Sequence, residues 1–170
     1  DHVLPAGLAS LIDHVEATTA NGGETVLGGY QSMLMQLFNM CGLAPADHTV
    51  RTISMAAGQA ATAIAVLRSG GALFTRFTNG VGAAVSLSTA GSARMRQCLW
   101  FQGESDQANA NYVAEFIAMA GEIDTMARAA TGQDEPCLTL TYQMDRPKSA
   151  LWFADAAAQS PLIQIFAPSY

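Results

Sequence analysis

The second half of the chain alternates between strand-like and helix-like patterns of apolar residues, and this alternation restricts the fold more than any other feature. Three short apolar runs predict strands, at residues 95–101, 137–142 and 162–167. Between them, apolar residues recur at helical spacing from residue 112 to 123 and again from 147 to 158. Successive strand–helix–strand units predict parallel strands joined by right-handed crossovers. We therefore expect an α/β fold with a parallel sheet covered by helices on both faces.

The first half of the chain shows the same patterns. Three further segments have helical spacing, at residues 8–15, 34–41 and 74–89. Gly42 and Pro45 are expected to end the second of these helices. Residues 50–57 are a further strand candidate, which leads into Gly58. We expect Gly58, Gln102 and Tyr142 at the carboxyl ends of three neighbouring strands.

Composition favours a compact acidic protein with a neutral or weakly polar ligand. Half of the residues are hydrophobic and 13% are charged, which argues against disorder. The formal net charge of −6 offers no electrostatic footprint for nucleic acid or an anionic membrane. No apolar run reaches the length of a membrane-spanning helix. Nucleic acid and membrane are therefore not expected as partners.

Length and residue types set further expectations. One domain is the natural count for 170 residues, and the chain begins at Asp1 and stops at Tyr170 directly after an apolar run. We expect a single domain over residues 1–170 that is truncated at both ends. The three cysteines lie in apolar segments and are expected to be buried free thiols. The methionines of the helical segments are expected to fill core gaps, at Met33, Met35, Met40, Met119 and Met126.

Residues 99–106 read Leu-Trp-Phe-Gln-Gly-Glu-Ser-Asp and carry the strongest chemical signal in the sequence. Gln102 presents an amide donor after a strand, where ligands bind in open α/β sheets. Gly103 allows a sharp turn or a close approach to a ligand, and Glu104 can orient the amide or a histidine by accepting a hydrogen bond. From the residues alone, a turn followed by a helix cap from Ser105 or Asp106 is at least as good an interpretation.

Residues 100–106 resemble the W-x-Q-G-E-x-D block of the SGNH hydrolases related to sialate O-acetylesterase, a branch of carbohydrate acetylesterases. Upstream, residues 57–64 resemble the A-G-x-G-G-T-x-I block of the same branch, with Ala60 and Ala61 in the place of two glycines. Residues 23–25 resemble a G-E-T that precedes this block in phage-type members. The resemblance implies a three-layer α/β/α sandwich with a flavodoxin-like parallel sheet.

The resemblance also implies acyl transfer, in which a serine attacks an acetyl ester, a histidine acts as base and an oxyanion hole holds the tetrahedral intermediate. Gln102 then corresponds to the side-chain donor of that hole, and the backbone from Gly58 to Ala61 supplies a further donor. Gly103 and Glu104 complete the implied catalytic set. No cofactor is implied.

Asp106 and Tyr142 are the candidate substrate-binding residues, and the implied partner is an acetylated carbohydrate. The phage-type likeness suggests by analogy a secreted protein or a virion spike or tail, with other virion subunits or further copies of the chain as neighbours. None of the three histidines has metal-ligand spacing with cysteine or carboxylate, so no metal site is expected.

Two blocks of the implied family do not occur in this sequence. These are the G-Q-S-N block, which carries the nucleophile, and the D-x-x-H block, which carries the acid and the base. Residues 29–33 imitate the first, but Ser32 falls inside a helical pattern. We therefore expect part of a carbohydrate O-acetylesterase that does not hydrolyse esters by itself. The alternative is a non-catalytic SGNH domain that binds glycan or has a structural part in a virion.

Overall fold

The computed structural model describes residues 33–34, 36–42, 62–142 and 147–166. The chain divides into two compact units, Asp1–Gly58 and Gln59–Tyr170. The expected helix at residues 8–15 and the expected strand at residues 50–57 lie outside the described residues.

In the first unit, residues 33–34 and 36–40 are helical, as expected from the spacing of the apolar residues. The turn after this helix contains Gly42, which adopts a φ of 73° and donates its N–H to the carbonyl of Asn39 at 3.0 Å. Met33 is 47% exposed and Met40 is 85% exposed, and Cys41 is exposed as well. The expectation of burial is wrong for these three side chains, because helical spacing does not show whether another element covers a given face.

The second unit alternates helices and strands. Its elements in chain order are α1 (Ile64–Leu67), α2 (Ala72–Ser86), β1 (Gln97–Trp100), a 3-10 turn (Glu104–Asp106), α3 (Tyr112–Thr131), β2 (Leu138–Tyr142), α4 (Pro147–Gln159) and β3 (Ile163–Phe166). Every strand begins and ends within two residues of its expected bounds. The short α1 and the 3-10 turn were not expected, because they are shorter than the periodicity that identifies a helix.

The three strands form one parallel sheet in the order β1-β2-β3. Trp100 lies opposite Thr141, and Thr141 lies opposite Ile165. The expected α/β fold with parallel neighbouring strands is therefore confirmed for these segments. Because parallel strands end at the same edge, Gln102 and Tyr142 lie at the carboxyl edge of the sheet.

Helix α3 forms the centre of the core. It packs against α1, α2, α4 and β2, and α4 packs against β3. One stripe of α3 is buried, with spacings of three or four residues, and consists of Tyr112, Phe116, Met119, Ile123 and Ala127. The ring of Phe116 lies 5.8 Å from that of Trp100 and 5.4 Å from that of Phe153, between centroids. This aromatic contact joins the end of β1 to α3 and α4.

A buried glutamine ties the end of α3 to the beginning of β1. Helix α3 ends at Thr131, and Gly132 closes its last turn with a φ of 69° and an N–H bond of 2.8 Å to the carbonyl of Arg128. Gln133 follows and is buried. Its Oε1 accepts from the N–H of Met95 at 2.8 Å, while its Nε2 donates to the carbonyls of Met95 at 2.9 Å and Glu135 at 2.7 Å. These bonds hold β1 in register at the edge opposite Gln102.

The three free cysteines differ in exposure, since Cys41 is exposed, Cys98 is half-buried and Cys137 is buried. Burial raises the pKa of Cys98 to about 12 and that of Cys137 to about 12, whereas Cys41 is exposed. Because the thiolate is the nucleophile, we predict that iodoacetamide at pH 8 modifies Cys41 in the native protein and leaves the other two intact. Peptide mass mapping before and after unfolding in urea checks this. If Cys137 in the native protein were labelled to the same extent as Cys41, its burial would be contradicted.

Candidate functional site

The candidate site is built where β1 ends and the chain turns away from the sheet. Trp100 is the last residue of β1, and Phe101 and Gln102 lead from it to Gly103. Gly103 has a φ of 150°, a region that favours glycine, and it begins the 3-10 turn over Glu104–Asp106. This turn brings Asp106 back towards Gln102, so that the two side chains meet.

The side-chain amide of Gln102 is buried and has a protein partner for each of its hydrogens. The side chain is 9% exposed. Its Nε2 donates to the carbonyl of Thr62 at 3.0 Å and to Oδ2 of Asp106. Its Oε1 accepts from the hydroxyl of Tyr112 at 2.8 Å. An amide NH₂ has two hydrogens, so both are in use in this structure.

Asp106 is the centre of the hydrogen-bond network and is only 5% exposed. Besides Gln102, its Oδ2 accepts from the backbone N–H of Ile64 at 2.9 Å, across 42 residues of sequence. Its Oδ1 accepts from Nδ2 of Asn109 at 3.3 Å. A buried carboxylate needs such donors, because they replace the water that it loses. The network thereby joins the beginning of α1 to the end of β1.

The expected helix cap takes a different form. Helix α3 begins at Tyr112, preceded by Asn111 without a side-chain cap, so neither Ser105 nor Asp106 caps the following helix. Asp106 instead accepts the N–H of Ile64, the first residue of the short α1. The interpretation as a local cap is therefore wrong, because five residues separate the 3-10 turn from α3.

Tyr112 is a member of the site that the sequence pattern did not reveal. Its side chain is fully buried. Its hydroxyl accepts from Nε1 of Trp100 at 3.2 Å and lies 2.9 Å from the carbonyl oxygen of Gln102, as well as 2.8 Å from Oε1. A tyrosine at the start of a helical pattern resembles an ordinary core residue. The one signal in the sequence is its hydroxyl, which needs a partner when buried.

The network continues outwards through Asn109. Its Nδ2 donates to Oε2 of Glu115 at 2.9 Å, and its Oδ1 accepts from the N–H of Asn111 at 2.9 Å. The same Nδ2 faces Asp106, so one amide separates two carboxylates. This arrangement fixes the loop between the 3-10 turn and α3, and with it the position of Asp106.

Of the other expected site residues, the structure describes only the backbone of Glu104 and Tyr142. Gly58 and Ala61 lie outside the described residues. Glu104 begins the 3-10 turn and Tyr142 ends β2, but their side chains lie outside the described residues as well. Substrate binding by Asp106 stays a prediction, and both of its oxygens accept hydrogen bonds from the protein.

No family model matches the chain, and no curated protein or solved structure matches it either. Among residues 33–34, 36–42, 62–142 and 147–166, no helix has the length and apolarity to cross a membrane. Over those same ranges, no group of three or more His, Cys, Asp or Glu residues is arranged to hold a metal ion.

We predict that Asp106→Ala destabilises the protein strongly, because it leaves the N–H of Ile64 and one hydrogen of Gln102 buried without partners. With about 1–3 kcal/mol for each buried group that loses its partner, the free energy of unfolding should fall by more than about 2 kcal/mol. Urea unfolding followed by circular dichroism measures this. Asp134→Ala is the control, because Asp134 is exposed and its loss should change stability by less than about 0.5 kcal/mol. Equal small effects of both variants would contradict the network.

Proposed function

We propose that the chain is part of a carbohydrate O-acetylesterase of the SGNH type, a serine hydrolase that removes acetyl esters from a sugar or a surface polysaccharide. One observation carries this proposal. The two segments that resemble separate blocks of that family contact each other through Thr62 and Ile64 on one side and Gln102 and Asp106 on the other. Segments about 40 residues apart in sequence therefore share one hydrogen-bond network.

The architecture supports the same proposal. The sheet is parallel, its strand order follows the sequence, and the W-x-Q-G-E-x-D segment follows the carboxyl end of β1. Ligands of open α/β sheets bind at this edge. The proposal extends the α/β fold to a three-layer sandwich with a flavodoxin-like parallel sheet. Substrate binding by Tyr142, the last residue of the neighbouring strand, is part of the same proposal.

In the proposed reaction, Gln102 stabilises the oxyanion of the tetrahedral intermediate. The resemblance of residues 57–64 implies backbone N–H groups near Gly58 and Ala61 as further donors. Both hydrogens of Gln102 are in use, so one partner has to be exchanged. The exchangeable partner is the carbonyl of Thr62, which is a neutral acceptor in a partly buried bond. An oxyanion forms hydrogen bonds roughly twice as strong as those of a neutral carbonyl, so it replaces Thr62 while Asp106 keeps its bond.

The role of the remaining site residues follows from this exchange. Asp106 binds both the Gln102 amide and the N–H of Ile64, so the amide stays in position when the oxyanion displaces the carbonyl of Thr62. Gly103, with a φ of 150°, makes the turn that brings Asp106 to this amide. The nucleophile and the base come from G-Q-S-N and D-x-x-H blocks that this sequence does not contain. The partner is an acetylated carbohydrate, and a secreted or virion-surface location follows by analogy.

A non-catalytic SGNH domain for glycan binding or virion structure is the second candidate function. The specific observation in its favour is that the network is complete without a ligand. Each hydrogen of the Gln102 amide and each oxygen of Asp106 bonds to the protein. In this alternative, the hydrogen bond to Thr62 is permanent and the network only stabilises the fold.

The test of the proposal is Gln102→Ala in the parent protein that supplies the two missing blocks, assayed with a chromogenic acetate ester and an acetylated polysaccharide. Loss of an oxyanion donor should lower kcat by roughly 100- to 1000-fold and change KM little. Gln133→Ala is the matched control, because Gln133 is also a buried glutamine but bonds to the opposite end of β1.

The control should lose stability and keep its kcat. If Gln102→Ala retains a near-normal kcat, the proposed oxyanion role is wrong. If the parent protein hydrolyses no acetyl ester but binds the polysaccharide, the non-catalytic alternative replaces the esterase.

A further inference from the structure

The hydroxyl of Tyr112 lies in a chain of hydrogen bonds whose direction is fixed. An indole N–H only donates, so the hydroxyl of Tyr112 accepts from Trp100 and turns its own hydrogen towards Gln102. There it is shared between the side-chain oxygen at 2.8 Å and the backbone oxygen at 2.9 Å. The side-chain oxygen of Gln102 therefore faces Tyr112.

This direction determines which way the amide of Gln102 points. With Oε1 on Tyr112, Nε2 faces the two acceptors, the carbonyl of Thr62 and the carboxylate of Asp106. Rotation of the amide by 180° would place Oε1 against both acceptors. It would also leave the hydrogen of the Tyr112 hydroxyl without its side-chain acceptor, inside a buried site where such a loss costs the most.

The ring of Tyr112 is held in place by aromatic neighbours. It stacks on Trp152, with centroids 4.7 Å apart, and lies 6.1 Å from Phe116 and 6.1 Å from Phe153. These contacts come from α3 and α4 and do not involve the hydroxyl. Removal of the hydroxyl alone therefore leaves the ring where it is, which makes Tyr112→Phe a selective change.

We propose that Tyr112 is a positioning residue for the Gln102 amide, and this inference rests on the proposed function. The hydroxyl fixes the orientation of the amide and polarises it, because a donor at Oε1 strengthens the hydrogens at Nε2 as donors. Tyr112 acts on the oxyanion only through Gln102. The hydroxyl of Tyr112, at the start of α3, therefore determines how well the Gln102 amide can stabilise a developing negative charge at the carboxyl edge of β1.

The experiment compares Tyr112→Phe with Phe116→Leu in the parent protein, using a chromogenic acetate ester. We expect Tyr112→Phe to lower kcat about tenfold, as one lost hydrogen bond of ordinary net strength predicts, with KM changed less than about twofold. Phe116→Leu removes packing from the same aromatic cluster and no hydrogen bond, so it should lower the Tm and leave kcat unchanged. An unchanged kcat in Tyr112→Phe, or equal losses in both variants, would overturn the inference.

A second readout does not depend on catalysis. With ¹⁵N-glutamine labelling, the NH₂ resonances of Gln102 are identified as the pair that is missing in Gln102→Glu. In Tyr112→Phe we expect this pair to shift and to exchange with deuterium at least about tenfold faster, because the amide loses one of its fixed partners. If the parent protein has no esterase activity, the proposed function fails and this readout still decides the role of Tyr112. Unchanged shifts and exchange would overturn it.

Discussion

The carboxylate of Asp106 is buried, and the rest of the site depends on how its charge is satisfied. Removing a carboxylate from water is costly unless donors replace the lost hydration. Here the donors are the N–H of Ile64, the amide of Gln102 and the amide of Asn109. They come from α1, from the end of β1 and from the loop before α3. One charge therefore ties the beginning of α1 to the turn after β1, which is 42 residues away in sequence.

The orientation of the Gln102 amide follows from this arrangement and from Tyr112 on the other side. An acceptor pair at Nε2 and a donor at Oε1 leave the amide one favourable orientation. The same rigidity supports either function that the site suggests. In an esterase it keeps a donor prepared for an oxyanion at low reorganisation cost, with Thr62 as the partner that is displaced. In a binding or structural domain it stabilises the carboxyl edge of the sheet.

Within the described residues, the sequence was sufficient for the longer helices, for the strands and for the direction of these strands. Apolar periodicity located α2, α3, α4 and all three strands, and the crossover rule made these strands parallel. The residue types of the octet at residues 99–106 were also enough to single out Gln102 and Asp106. Periodicity failed for α1, because four residues are barely one turn, and for Met33 and Met40, because it cannot show what covers a helix face.

The side-chain contacts of the site could not be predicted from the sequence, for a different reason. Asp106 carries all the signs of a local helix cap, and only the folded chain shows that its partner is Ile64, 42 residues away. Tyr112 belongs to a buried stripe whose spacing indicates packing, and the spacing does not reveal that its hydroxyl meets Gln102. Long-range polar contacts depend on tertiary geometry, which no local pattern encodes.

The most direct test of the central role of Asp106 is a double-mutant cycle on the free energy of unfolding. It combines Gln102→Ala with Asp106→Ala in urea titrations of the 170-residue chain. Residues that share one buried network should couple by about 1–3 kcal/mol. Gln133→Ala combined with Asp106→Ala should be additive within about 0.5 kcal/mol, because the two residues share no partner. If the effects of Gln102→Ala and Asp106→Ala on the free energy of unfolding were additive as well, the central role of Asp106 would be contradicted.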